Sequence, residues 1–464
     1  MYFDVIILGS GPGGYVASIR ASQLGMKTAL IEKESLGGVC LNWGCIPTKS
    51  ILNSAKILQN IKKNRELFEI DEIKVNYSKI IQKSRNVVNK MKKGVSFLMK
   101  KNGVHVIYGN AKLKSGKRVE ILKSGKKIEE HNASHIIIAT GSKSKIKKEF
   151  QQDEKKVIGY KEALSLKTLP KKMIIIGSGP IGLEFAYFYS SMGTEITILE
   201  ICPQIFPNLD IEISSYLKDS FEKKGIKIYL SSTIKKIEFN KNKGVTVHIQ
   251  TINKQEISLE TDIVLSAIGV TPNIKSIGLE EVGIRTTEKE FISVDKNYRT
   301  NIDEYYAIGD VIETPSLAHV ASHEAISCVE NIKCLNSPKI DYNNIPKCVY
   351  CFPEIASVGY TEKEAKEKGY QIRIGKFPFS ALGKSISDDN PEGFVKVIFD
   401  SKYDEWLGCQ MIGNNVTEII SEVVVSRKLE ATHCEIINSI HPHPSLSESI
   451  LESVANAYGK TIHL

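Results

Sequence analysis

Apolar runs and glycine turns alternate along the first two thirds of the chain, and the alternation repeats. Phe3–Leu8 (FDVIIL) is an apolar run of strand length, followed by Gly9-Ser-Gly11-Pro-Gly-Gly14 and a helical stretch from Tyr15 to Leu24. Thr28–Glu32 (TALIE) is a second apolar run, ending on an acid. The order returns at Lys172–Ile176 (KMIII), Gly177-Ser-Gly179-Pro-Ile-Gly182, Leu183–Met192 and Glu195–Glu200 (EITILE). Strand, glycine turn, helix, strand is how a doubly wound nucleotide-binding sheet begins. The spacing agrees between the copies: Glu32 lies 23 residues after Gly9, and Glu200 lies 23 after Gly177.

Other segments fill in the plan. His135–Ser142 (HIIIATGS) and Asp262–Gly269 (DIVLSAIG) read as buried strands that end in small residues. Residues Ile57 to Lys101 are lysine-rich with a helical period and predict a helical excursion after the first unit. From about Tyr342 the pattern changes to short alternating strands (Lys347–Val358, Gly393–Phe399, Trp406–Ile412) and then a helical end, the mark of a separate α+β domain. The expected fold class is α/β, with two Rossmann-like dinucleotide-binding domains and a C-terminal α+β domain. The expected boundaries are 1–145 and 271–341 for the first dinucleotide domain in two parts, 146–270 for the second, and 342–464 for the last.

Composition changes this picture little. A chain of 464 residues predicts two to four domains, and 42 % hydrophobic with 25 % charged residues is ordinary for a globular protein. The net charge of +9 comes largely from lysine clusters such as Lys143–Lys148, and no basic stripe carries interleaved aromatics. That argues against a nucleic-acid partner and for a solvated lysine-rich face. The longest apolar run, Met173 to Tyr189, is broken by glycines and contains Glu184, so no membrane span is expected. Strand-like residues begin at Tyr2 with no secretory pattern ahead of them, so a cytoplasmic protein is expected. In that reducing compartment most of the nine cysteines should be free thiols, and a disulfide there is more often catalytic than structural.

The glycine motifs carry the first chemistry. Gly9, Gly11 and Gly14, and again Gly177, Gly179 and Gly182, let the backbone approach a pyrophosphate seated on a helix N-terminus. Glu32 and Glu200 would accept hydrogen bonds from ribose hydroxyls. Two copies predict two dinucleotide sites. At the second, the anion of Glu200 would repel a 2′-phosphate and no arginine follows it, so NAD is preferred over NADP.

The most specific feature is Gly37-Gly38-Val39-Cys40-Leu41-Asn42-Trp43-Gly44-Cys45-Ile46-Pro47-Thr48-Lys49. Two cysteines five apart can close a small disulfide if the chain turns sharply, and Gly44 permits that turn. Zinc ligands usually sit closer and come with a second pair, so no metal is expected. A helix start beside a cation such as Lys49 would stabilise a thiolate. A pair of buried thiols remains open on these residues alone, although it leaves the proximity to the first dinucleotide motif unexplained.

On these motifs the chain resembles the pyridine nucleotide–disulfide oxidoreductase family, nearly end to end. Thr300-Asn-Ile-Asp-Glu-Tyr-Tyr306-Ala-Ile-Gly309-Asp310 resembles the family's second flavin motif, and His441-Pro-His443-Pro444-Ser445-Leu-Ser-Glu448 its C-terminal acid–base motif. Gly182, where glutathione-reductase-like members tend to have alanine, fits the NAD-using relatives. The resemblance implies FAD and NAD as cofactors and a redox disulfide between Cys40 and Cys45. It makes His443 the acid–base group, held by Glu448, and pairs Lys49 with Glu184 near the flavin ring. To the cofactor-binding set it adds Lys49, Thr140, Gly141, Asp310, Ala318 and Gly269. It further implies a homodimer in which the C-terminal domain of one chain serves the cysteines of the other.

The residues support the same division of labour. Dithiol oxidation needs a proton acceptor near neutrality, which is histidine's range, and Glu448 would fix the tautomer of His443. The other readings of His441 and His443 are a metal pair or surface histidines. The branch of the family resembled most oxidises dihydrolipoyl groups on a carrier protein of a 2-oxoacid dehydrogenase or glycine cleavage complex, with NAD+ as final acceptor. Another disulfide reductase of the family and a non-catalytic flavin-binding scaffold are the alternatives. Three positions depart from the pattern: Val270 stands where many relatives have arginine, Ser445 replaces a threonine, and the segment after Ser142 lacks prolines. Cys348 and Cys351 form a CxxC read as ordinary strand residues on opposite faces. Cys202, Cys328, Cys334, Cys409 and Cys434 are read as packing residues.

Overall fold

Apolar runs without polar alternation belong to strands buried on both faces, as in parallel sheets covered by helices. Tyr2–Leu8 is such a strand, with Ile6, Ile7 and Leu8 wholly buried. It lies between two parallel neighbours, Thr28–Glu32 on one side and the second half of Lys126–Ile138 on the other. His105–Tyr108 and Tyr305–Ala307 extend the sheet outward in parallel. The structure is a computed structural model describing residues 1–150, 153, 155–240 and 244–464. The chain divides into two units: 1–51, 78–145 and 269–340 form the first, and 52–77, 146–268 and 341–464 the second.

In the first unit the helices Pro12–Gln23 and Ala318–Ile332 pack together. The long strand Lys126–Ile138 also pairs antiparallel, through its first half, with Arg118–Lys123, which in turn pairs with Asn110–Lys114. Its two halves thus serve two different pairings, which the buried run His135–Ser142 alone did not reveal.

The second unit repeats the parallel plan. Lys172–Ile176 is central, flanked by Glu195–Leu199 and Ile263–Ser266, with Lys227–Tyr229 and Val157–Ile158 at the edges. A three-stranded antiparallel meander, Thr233–Phe239, Val245–Gln250 and Glu256–Thr261, adds to it. The C-terminal part is a five-stranded antiparallel sheet in the order Lys347–Val349, Glu354–Gly359, Trp406–Gly413, Gly393–Asp400, Ile372–Pro378. The α/β class with two dinucleotide-binding folds and a C-terminal α+β part is therefore as expected.

The helical excursion expected over Ile57–Lys101 is present as two helices, Cys45–Lys63 and Tyr77–Lys101. Between them Glu69 turns left-handed at φ 50°, and Ile70, Ile73 and Val75 are β-branched residues of lower helix propensity. Two local expectations, both in the C-terminal strands, need correction. Lys347–Val358 is not one strand but two, Lys347–Val349 and Glu354–Gly359, separated at Pro353, which has no N–H for the ladder. Cys351 therefore lies outside the strand, where its buried thiol donates to the Pro353 carbonyl at 3.3 Å. Gly393–Asp400 and Trp406–Gly413 do not alternate in burial, because every residue in both is buried. Val395, Val397 and Phe399 pack with Ile420, Val423, Ile450 and Val454 on one face. On the other, Phe394 meets Tyr216 edge-on and Lys396 meets Asp210.

Candidate active site

Each glycine motif closes a strand–turn–helix crossing in which little but hydrogen fits. A Cβ at Gly14 would stand 1.8 Å from the Gly9 carbonyl oxygen, and one at Gly182 would stand 2.1 Å from that of Gly177. Gly9 and Gly177 both take φ +97°, a left-handed turn that suits glycine. By contrast, a Cβ at Gly11 or Gly179 would meet nothing within 4 Å, so these positions are open beside the helix start. The helices that follow, Pro12–Gln23 and Pro180–Met192, have no side-chain cap at Gly11 and Gly179. Open cradles over uncapped backbone N–H groups suit a pyrophosphate.

The acids occupy matching positions in the two copies. Oε2 of Glu32 accepts the Ser10 N–H at 3.1 Å and the Ser10 hydroxyl at 2.6 Å, and Oε1 accepts the Glu34 N–H at 2.7 Å. Oε2 of Glu200 accepts the Ser178 N–H at 2.9 Å and hydroxyl at 2.6 Å, and Oε1 accepts the Cys202 N–H at 2.9 Å. Burial opposes ionisation of Glu200, but the bonds from Ser178 and Cys202 win and hold it below the usual carboxylate range. Ser10 and Ser178 went unassigned in the sequence, although the signal was there: both motifs read Gly-Ser-Gly.

Cys40 and Cys45 form a disulfide with their Cα atoms 4.7 Å apart. Cys40 sits in the short helix Gly38–Trp43, and Cys45 opens the helix Cys45–Lys63. The turn between them is tight, since a Cβ on Gly44 would stand 3.1 Å from the Val39 carbonyl oxygen. Asn42 fastens the loop from inside, donating to the Leu36 and Gly38 carbonyls at 2.9 Å each. The helix Tyr77–Lys101 fastens it from outside: the Ser84 hydroxyl donates to Pro47 O at 3.0 Å and Arg85 Nη1 to Asn42 O at 3.0 Å.

The cysteine loop is built onto the first glycine motif. The Gly37 N–H donates to the Ser10 carbonyl at 3.1 Å and lies 3.2 Å from the Ser10 hydroxyl. A Cβ at Gly38 would come within 2.5 Å of the Gly11 Cα. The disulfide and the first dinucleotide cradle are thus one construction.

The remaining expected residues are Thr140, Gly141, Asp310, Ala318, Gly269 and Lys49 in the first unit and Glu184 in the second. Thr140 and Gly141 follow Lys126–Ile138 and are tied to Asn273, whose N–H donates to the Gly141 carbonyl at 2.8 Å and which receives the Thr140 hydroxyl at 2.8 Å. The half-buried Asp310 accepts the Ser142 hydroxyl at 2.5 Å, and desolvation raises its carboxyl above the usual range. Gly309 before it donates its N–H to Glu324 at 2.6 Å. Ala318 opens the uncapped helix Ala318–Ile332, and Gly269 precedes Val270–Pro272, which pairs with Ser142–Ser144. Lys49 lies in the first turns of the redox helix, and Glu184 is buried in Pro180–Met192, where Oε1 accepts the Tyr350 N–H at 3.0 Å.

At the C-terminus the structure brings His443 and Glu448 together, Nδ1 to Oε1 at 2.8 Å, and Oε2 of Glu448 accepts the Ser445 N–H at 2.7 Å. Burial works against the Glu448 charge, but these two bonds hold the carboxyl below its usual range. With Nδ1 facing the carboxylate, Nε2 of the mostly exposed His443 is turned away from Glu448. His441 turns elsewhere: Nε2 meets Glu422 at 2.7 Å and Nδ1 meets the Ser439 carbonyl at 2.9 Å. The Glu422 bond raises the His441 pKa above the ordinary histidine range. Among the described residues no group of three or more His, Cys, Asp or Glu is placed to hold a metal.

Comparison with known proteins agrees with this construction. The family model described as pyridine nucleotide-disulphide oxidoreductase matches residues 3–325, and the model of its dimerisation domain matches 345–454. A dihydrolipoyl dehydrogenase of Rhizobium etli is 43 % identical over 479 residues, covering 99 % of each chain. One from Zymomonas mobilis is 43 % identical over 467 residues, covering 100 % of this chain and 99 % of the relative. Among solved structures, the flavoprotein disulfide reductase RclA of Escherichia coli, as its Cu(II) complex, is similar at a TM-score of 0.88 and 25 % identity, over 98 % of this chain and 99 % of that one. LpdA of Mycobacterium tuberculosis shares the fold at a TM-score of 0.89, over 97 % of this chain and 98 % of that one. A disulfide bonded into a dinucleotide cradle, and family models spanning nearly the whole length, give one conclusion: the chain belongs to the pyridine nucleotide–disulphide oxidoreductase family.

Proposed function

We propose that this protein oxidises dihydrolipoyl groups carried on a partner protein and delivers the electrons to NAD+. The observation that carries the reading is the Cys40–Cys45 disulfide in a loop whose Gly37 N–H donates to the Ser10 carbonyl of the first glycine motif. The dihydrolipoyl dehydrogenases of Rhizobium etli and Zymomonas mobilis support the choice of dithiol.

In this reading residues 1–145 and 271–341 bind FAD, 146–270 bind NAD, and 342–464 form the dimer. Gly9, Gly11, Gly14, Glu32, Lys49, Thr140, Gly141, Asp310 and Ala318 hold the flavin. Gly177, Gly179, Gly182, Glu200 and Gly269 hold NAD, and the low-lying carboxyl of Glu200 repels a 2′-phosphate. Lys49 and Glu184 act beside the flavin ring. A bound flavin supplies the chemistry that joins a two-electron dithiol couple to hydride transfer.

The protein's own residues manage sulfur and protons. His443, oriented by Glu448, takes a proton from one substrate thiol at Nε2. The thiolate attacks Cys40 Sγ, the Cys40–Cys45 bond breaks, and Cys45 leaves as a thiolate. The second substrate sulfur then displaces Cys40 and its proton passes to the leaving Cys40 sulfur, so the substrate departs as its disulfide and leaves a Cys40 thiol, a Cys45 thiolate and a protonated His443. His443 of one chain would serve the cysteines of the second in the dimer. The partner is the lipoyl-bearing protein of a 2-oxoacid dehydrogenase or glycine cleavage complex. Seven free cysteines suit a reducing, cytoplasmic setting.

The test is NADH formation from NAD+ and dihydrolipoamide, with NADP+ in parallel. Activity with NAD+ alone is expected. A yellow, dimeric preparation that turns over neither would overturn the lipoyl substrate.

A further inference from the structure

Among the described residues Lys396 is the one lysine that is fully buried, 1 % exposed in the middle of Gly393–Asp400. An unpaired ammonium in such a place would carry a heavy desolvation cost. Three carboxylates meet it: both oxygens of Asp210 at 3.2 Å, Oε1 of Glu212 at 3.1 Å and Oε2 of Glu362 at 2.7 Å. Lys376 pairs with the second oxygen of Glu212, and Lys366 with that of Glu362 at 2.5 Å. Three acids and three lysines close the charge at zero. Burial alone would lower the Lys396 pKa, but Glu362, Asp210 and Glu212 overcome it and raise it.

The cluster reaches the second glycine motif through bonded neighbours. Asp210 caps the helix Ile211–Lys223, accepting the Glu212 N–H at 3.1 Å. In the next turn the Ser214 hydroxyl donates to Ile205 O at 2.6 Å, and Gln204 donates to both Ser214 Oγ and Leu209 O at 3.0 Å. The Phe206 N–H donates to the Ser178 hydroxyl at 2.9 Å, and that hydroxyl donates to Glu200 at 2.6 Å. Residues 201–210 are therefore tied to Ser178 and Glu200 at one end and to Lys396 at the other.

We infer that Lys396 is a positioning residue for NAD: through Asp210 it holds segment 201–210 so that Ser178 and Glu200 keep their places in the dinucleotide site. The inference rests on the assignment of that glycine motif to NAD. A lysine that only cements the sheet would, when lost, weaken the protein and slow every partial reaction together. A positioning lysine separates the two half-reactions.

The flavin-loaded dimer of K396M is the material for the test. Two quantities are read: the KM for NAD+ at saturating dihydrolipoamide, and the rate of flavin reduction by dihydrolipoamide without NAD+. The first should rise about tenfold, and the second should stay within about twofold of wild type. D210N keeps a capping side chain and removes the charge, so it should raise the KM less. Added to K396M, D210N should recover part of the loss by removing a carboxylate left without its cation. An unchanged KM in folded K396M, or an equal fall in both half-reactions, overturns the inference. If K396M does not fold, D210N and E362Q decide: a raised KM supports the inference, and an unchanged KM in both overturns it. Failure of the underlying assignment looks different, because wild type itself would then reduce its flavin with dihydrolipoamide and yet show no turnover with NAD+.

Discussion

An imidazole as exposed as His443 has no preferred orientation of its own, so the proposed use of it as a base depends on what holds Nδ1. Glu448 does so at 2.8 Å, and the Ser445 N–H holds Glu448. E448Q preserves the shape but lets the ring take either tautomer. It should cut kcat for dihydrolipoamide oxidation by about 10²-fold, the low end for general acid–base catalysis, while NADH oxidation with ferricyanide stays near wild type. His441 gives a second prediction, on stability. Its pKa is raised in the fold by the Glu422 bond, so its contribution is fully present below the unfolded value of about 6.5 and is lost as pH rises through the folded value. The melting-temperature difference between wild type and E422Q should be largest near pH 5 and shrink above neutrality; a difference that grows with pH would contradict it. The two pairs differ in legibility. Glu448 lies five residues from His443 inside one motif, whereas Glu422 is 19 residues before His441, in the helix Val416–Lys428. Only the fold brings that second pair together.

Elements set by a local rule are legible in the sequence, and those set by what covers them are not. The two strand–turn–helix units are local: the glycines sit where a Cβ would strike the preceding carbonyl, 1.8 Å away at Gly14 and 2.1 Å at Gly182. G14A should therefore leave the purified protein with little flavin, read as absorbance near 450 nm per chain. G182A should keep its flavin but raise the KM for NAD+ by about tenfold, or ~1.4 kcal/mol. If G182A lost flavin and G14A kept it, the assignment of the two cofactors to the two units would be reversed. The C-terminal strands are the opposite case. Their alternation of polar and apolar residues suggests one wet face, yet Lys396 and Gln410 are each 1 % exposed because a second layer covers them. A charged residue in a strand carries no local sign of three acids that lie 34 to 186 residues away. The meander from Thr233 to Thr261 is missed for a related reason: its two-residue alternation is short and interrupted by charge, while the parallel strands beside it form continuous apolar runs.

At the scale of the molecule, the two halves of the proposed dithiol-oxidising site, the cysteine pair and the histidine–glutamate pair, stand at opposite ends of the sequence. Residues 345–454, which include His443 and Glu448, match the family's dimerisation domain. A C2 dimer repeats each contact twice, so two complete sites would form from two chains. Whether each site draws on one chain or on both is decided by mixing two inactive variants. C45S has no redox disulfide but an intact base; H443Q has the disulfide but no base. If the site is shared, each mixed dimer carries one site damaged twice and one that is whole. Random reassociation of equal amounts makes half the dimers mixed, so activity should return to about a quarter of wild type per chain. If each chain serves itself, every site in every dimer keeps one lesion and the mixture stays as inactive as its parents. Flavin content must be equal before and after mixing, so that recovered activity reports the pairing of chains and not the loading of cofactor.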